Sequence, residues 1–176
     1  FELLSEILLP ALTEKQAREL VSFSTDSLDI YAINISVSIA QILSQFQGNN
    51  LSLNRLRQIN ESIIDALASF QGLNLYLNGV TQLDEATAKA FSRFKNGNPH
   101  NLYLNGLKQL DEATAKALFQ FECDTLHLDG IKFLNEPLIK MFSQFQGKGL
   151  SLNGITELDK LTAEALCAFR GYCLFL

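Results

Sequence analysis

With 176 residues, 47% of them hydrophobic and 19% charged, the chain has room for one domain with a substantial core and is too apolar to be disordered. Its net charge of −5 argues against nucleic acid as a partner, because neutralising phosphates needs a basic face. No apolar run approaches the length that spans a bilayer, so a membrane is not expected as a partner either.

The chain opens on "FELLSEILL", which carries Glu2 and Glu6 and no basic residue, unlike a secretory signal. Residues 1–11 are expected to form a capping helix or the tail of a further repeat. From Leu12 onward the sequence becomes regular. Leu28/Ile30 begins a weak first copy of a pattern that then recurs as Leu51/Leu53, Leu75/Leu77, Leu102/Leu104, Leu126/Leu128 and Leu150/Leu152, with Leu174/Leu176 starting another. From Leu51 the steps are 24, 27, 24, 24 and 24 residues, a period that marks a solenoid. Each of the five full pairs is expected to be a short parallel strand, closed in most copies by an Asn-Gly or Asp-Gly turn.

A helical stretch follows each pair. "LDEATAKAFSRF" from Leu83 puts Leu83, Ala88, Phe91 and Phe94 at helical spacing, and the spacing recurs from Leu110, Leu134 and Leu158. Weaker copies start at Leu12, Ile35 and Ile59. Asp84 stands where an N-cap belongs, Glu85/Lys89 and Glu112/Lys116 are favourable i,i+4 pairs, and Pro137 falls in a first turn. Helices are therefore expected over 84–94, 111–121, 135–145 and 159–169. The return "KNGNPHN" after Phe94 is three residues longer than the others and is expected to bulge at the surface. One unit alone buries too little apolar surface to offset the entropy of ordering it, so each copy must supply core to the next. The whole of 1–176 is expected to be one α/β solenoid of about seven repeats, 23–27 residues each. A last strand without a polar cap is expected to continue into further sequence or to self-associate along its open edge.

The sequence holds little that suggests catalysis. Cys123, Cys167 and Cys173 are odd in number and irregular in spacing, so they predict neither a disulfide framework nor a metal knuckle. His100 and His127 are the only histidines, and no nucleophile–base arrangement can be assembled around them. "QGKGLS" lacks the spacing of a phosphate loop, and Asn-x-Ser at Asn34, Asn50 and Asn60 is no more than chance supplies. A non-enzymatic protein is expected, with no cofactor and no metal.

If Leu75 and Leu77 point inward, then Asn74, Tyr76 and Asn78 point out. Stacking makes columns of such residues. The middle column reads Ser52, Tyr76, Tyr103, His127, Ser151. The outer ones read Asn50, Asn74, Asn101, Thr125, Gly149 and Asn54, Asn78, Asn105, Asp129, Asn153. Two readings of the rings stand together: anchors for a partner, or a cross-strand stack that covers the sheet. The Asn/Asp column reads as turn residues bonding local backbone, or as a polar or cation site near Asp129.

"LYLNGVTQLDEATAKAF" resembles a leucine-rich repeat, of the cysteine-containing or ribonuclease-inhibitor-like class and the bacterial type. Leu75 and Leu77 match its paired leucines, and Leu83 and Asp84 its step into the helix. Two features depart from that family. Its Asn or Cys ladder position is aliphatic here (Leu56, Val80, Leu107, Ile131, Ile155), and its leading Leu is replaced by Gly72, Pro99, Cys123, Gly147 and Gly171. Phe at each helix end is expected to take up that volume. The resemblance implies a parallel sheet on a concave side, helices on the convex side, and recognition of a protein or peptide on the concave face. The expected contact residues are Tyr76, Tyr103, His127, Asn74, Asn78, Asn101, Asn105 and Asp129. The alternative is a structural spacer or oligomerising module of a larger protein.

Overall fold

The computed structural model describes residues 12–94, 98–134, 136–157, 160–167 and 169–176. The expectation of a cap over 1–11 lies outside them. Among the described residues seven strands alternate with seven α-helices: α1 Glu14–Phe23, β1 Ser27–Asp29, α2 Val37–Leu43, β2 Asn50–Ser52, α3 Glu61–Leu67, β3 Asn74–Tyr76, α4 Glu85–Ala90, β4 Asn101–Tyr103, α5 Glu112–Leu118, β5 Thr125–His127, α6 Glu136–Met141, β6 Gly149–Ser151, α7 Lys160–Leu166 and β7 Cys173–Phe175. The strands form one parallel sheet in chain order. Leu28, Leu51, Leu75, Leu102, Leu126, Leu150 and Leu174 sit in register across it. Strands lie about 4.8 Å apart while packed helices need about 8–10 Å, so the sheet takes the inner, concave side of the stack.

The strands begin one residue earlier than expected, at Asn74 rather than Leu75 for example. Backbone pairing still runs past each strand's end: Leu53 N–H donates to Tyr76 O at 2.8 Å and Leu77 N–H to Tyr103 O at 2.8 Å. The helices are shorter than expected. α4 passes into a 3-10 turn over Phe91–Arg93, and α5 stops at Leu118. The cause is the phenylalanine that ends each unit. Phe46, Phe70, Phe94, Phe121, Phe145 and Phe169 each donate their N–H to the carbonyl three residues back, a tightened last turn. That turn swings the ring under the sheet. A Cβ added at Gly48, Gly72, Gly147 or Gly171 would come within 3.0 Å of the ring of Phe46, Phe70, Phe145 or Phe169. The rings thus occupy the volume of the missing leucine, as expected for these repeats.

Entry to the helices follows the capping rule. Ser36, Asn60, Asp84 and Asp111 are extended and accept from the backbone N–H three residues on, and Thr13 forms a full capping box with Gln16. Thr87 bonds hold the Asp84 carboxyl below its ordinary range. The aliphatic ladder Leu56, Val80, Leu107 and Ile131 is fully buried, with Ile155 packed against it. On the helix side, Lys89 pairs with Glu85, whereas Glu112 and Lys116 do not close. Exposed pairs of this kind contribute only a few tenths of a kcal/mol. Arg93 joins two repeats by reaching Glu61 at 2.6 Å and also Asp65. Among the described residues no helix is long and apolar enough to cross a membrane.

Candidate functional site

Because leucines 24 or 27 residues apart share a register, so do the outward residues beside them. Tyr76 pairs with Tyr103 on β4, and Tyr103 with His127 on β5. Their rings stack face to face, with centroids 4.3 Å apart at 18° and 4.0 Å apart at 8°. The sheet spacing sets that separation, and the parallel register makes the ring planes parallel. All three are partly buried. Burial, then the neighbouring Tyr76, raises the Tyr103 hydroxyl above its ordinary value. Burial lowers His127 below its ordinary 6.5, against the weaker pull of Asp129. At neutral pH the stack therefore ends on an uncharged imidazole.

The asparagines flank the rings as two hydrogen-bonded ladders. In one, Asn101 Nδ2 donates to Asn74 Oδ1 at 2.8 Å and Asn74 Nδ2 to Asn50 Oδ1 at 2.7 Å. The foot of this ladder is Asp26, which accepts from Asn50 at 3.1 Å. The other ladder joins side chain to backbone. Asn54, Asn78, Asn105 and Asp129 each accept from the backbone N–H of the next turn: Asn78 at 3.0 Å, Asn105 at 3.0 Å, Asp129 at 2.9 Å and Asn153 at 2.9 Å. The bonding expected to be local is thus between repeats. Asp129 Oδ1 also accepts from Ser151 Oγ at 2.6 Å, and no cluster of metal-binding side chains occurs among the described residues.

All eight expected contact residues therefore lie on one face, but in different roles. The rings present edges and polar tips outward. Asn74, Asn101, Asn78, Asn105 and Asp129 are already engaged in holding strands and turns together. Sequence reasoning ended the ring column too soon. The register adds Asp29 before Ser52 and Phe175 after Ser151. It also missed a polar bridge at the start of the strands, where Asp124 accepts from His100 Nδ1 at 2.5 Å and from Lys148 at 2.6 Å. Lys148, then His100, holds the Asp124 carboxyl below its ordinary range. The spacing of 24 residues was the available signal for this bridge, hidden because the three residues differ in type.

A second concavity, about 680 Å³, lies on the helix side between α4 and α5. Glu85, Lys89, Glu112 and Lys116 line it, so it favours neither sign of charge.

Fold and site together define an α/β solenoid with a ring-bearing concave sheet. The chain matches no model of a known family, and no curated protein matches it.

Proposed function

We propose that the chain is a non-enzymatic recognition scaffold of leucine-rich-repeat type, which binds a protein or peptide across its concave sheet. The observation that carries this reading is the stack of Tyr76, Tyr103 and His127, partly exposed on a rigid sheet. Rings already ordered by their neighbours lose little entropy when a partner covers them, which is the property of binding anchors.

The test is selection of a random peptide library on the intact chain. Selected peptides are expected to bind at least about tenfold more weakly to the Tyr76→Ala/Tyr103→Ala variant, within the usual range for lost anchors. That variant is first checked for an unchanged melt. If its affinity stays within about a factor of two while Glu85→Lys/Lys89→Glu abolishes binding, the helix side is the recognition face instead.

A second reading is self-association through β7. Among the described residues β7 pairs with β6 alone, and Tyr172, Phe175 and Leu176 are 88%, 46% and 51% exposed. Sedimentation at rising concentration separates the two: a monomer throughout removes this reading.

A further inference from the structure

The two ends of the ring stack are not equivalent. Tyr103 is covered on both faces, by Tyr76 and by His127. Tyr76 turns its other face toward Ser52, its partner on β2. Ser52 is paired in turn with Asp29 on β1. The small, partly exposed Ser52, its hydroxyl accepting from Asn54 Nδ2 at 3.1 Å, floors a notch with an aromatic wall on one side and a carboxylate on the other. Two strand spacings, about 9.5 Å, separate the walls. The far end of the stack has no such opening, because Ser151 beside His127 is buried.

Charge indicates what fits. The three outward columns from Ser27 to Asn153 hold Asp29 and Asp129 and no Lys or Arg. Asp29 is exposed and makes no hydrogen bond or ion pair among the described residues. Arg55, in the turn after β2, has its guanidinium carbon 5.6 Å from the ring centroid of Tyr31. The chain thus already sets a guanidinium on a tyrosine at this end of the sheet.

We infer that the notch over Ser52 receives an arginine side chain of the protein or peptide bound on the concave face, an inference that rests on the recognition reading above. A guanidinium is planar, so it stacks on the free face of Tyr76 within about 6 Å of the ring centre. Its N–H groups then lie parallel to the ring, so Asp29, which faces the ring across Ser52, draws the guanidinium by charge and not by a bidentate pair. A lysine ammonium carries the same charge but has no flat face to lay on the ring. An aromatic side chain would stack but leave Asp29 partly desolvated and unpaired. Arginine brings both a flat face for Tyr76 and a positive charge for Asp29.

The experiment is an NMR titration of the intact chain with acetyl-Gly-Arg-Gly-amide. The control peptide carries citrulline, which keeps the shape and drops the charge. Saturable shifts are expected at Tyr76, Ser52 and Asp29, at least about tenfold weaker in affinity with citrulline and weakened in Asp29→Asn. Equal affinity for the two tripeptides, shifts that never saturate, or shifts centred on the α4–α5 groove overturn the inference. The recognition reading is judged separately, by whether selected peptides need Tyr103. Peptides that need Tyr103 and are indifferent to Asp29→Asn leave that reading standing and remove this one.

Discussion

Gly106→Ala tests how the repeats are pressed together. Gly106 closes the turn after β4, and an added Cβ would lie under 3.0 Å from both Asn78 O and Val80 O of the preceding repeat. Both obstructing atoms are backbone, so no rotamer change relieves the overlap. The turn must move away from its neighbour, and that movement pulls the Asn105 N–H from Asn78 Oδ1, now 3.0 Å away. Overpacking of this kind costs about 1–3 kcal/mol. The weakened bond adds about 0.5–1.5 kcal/mol, so a loss of about 1.5–4.5 kcal/mol is expected. Urea unfolding followed by circular dichroism measures it. Gly149→Ala is the control, because its added Cβ would sit 3.1 Å from Asp124 O and from Thr125 Oγ1, a contact that small shifts relieve. A Gly106→Ala variant within about 0.5 kcal/mol of the parent, or one no worse than Gly149→Ala, would refute the close-approach argument.

Acid and thiol chemistry supply two more expectations. His127 has its folded pKa lowered from 6.5, so its contribution to stability is complete above that pH and is lost as pH falls through the folded value. Urea midpoints taken at neutral and mildly acidic pH should therefore fall further for the parent than for His127→Phe; equal slopes would mean that the imidazole titrates freely. Burial, then the charge of Asp124, pushes the Cys123 thiol up to about 12, while Cys167 and Cys173 are exposed. A disulfide reagent at mildly alkaline pH should titrate two thiols quickly and the third only in denaturant; three fast thiols would show that Cys123 is not sealed.

Most of the architecture was legible because two periodicities share one repeat length. The leucine pairs set the sheet, and the Leu83-type spacing set the helices. What was less legible lay in contacts between units. The strand limits shifted by one residue because pairing depends on where both neighbours present carbonyls, not on where leucines stand. The helices ended early because Phe94 and its equivalents need a tightened turn to bring their rings under the sheet. Asn-Gly was readable as turn chemistry, yet the glycine answers to the backbone of the preceding turn and the asparagine to the backbone of the following one. At the candidate site the eight outward residues were found from alternation alone. Their division into a ring stack and two amide ladders was not, since Asn74 and Asn78 look alike in the sequence and differ only in what lies one strand away.

The turn ladder has a direction. From Asn54 to Asp129 each side chain accepts from the turn that follows it, never from the one before. Within this ladder, removing a unit from the late end leaves behind a side-chain carbonyl that water can solvate. Removing one from the early end strands a main-chain N–H in a crowded turn, the costlier orphan. The turn ladder is therefore polar, while the sheet bonds run both ways: Leu53 N–H depends on Tyr76 O and Asn74 N–H on Asn49 O. A ribosome delivers the units in the same order, so each new turn meets an acceptor already in place. Each turn is thus templated by the one before it, even where the strand beside it still awaits the next.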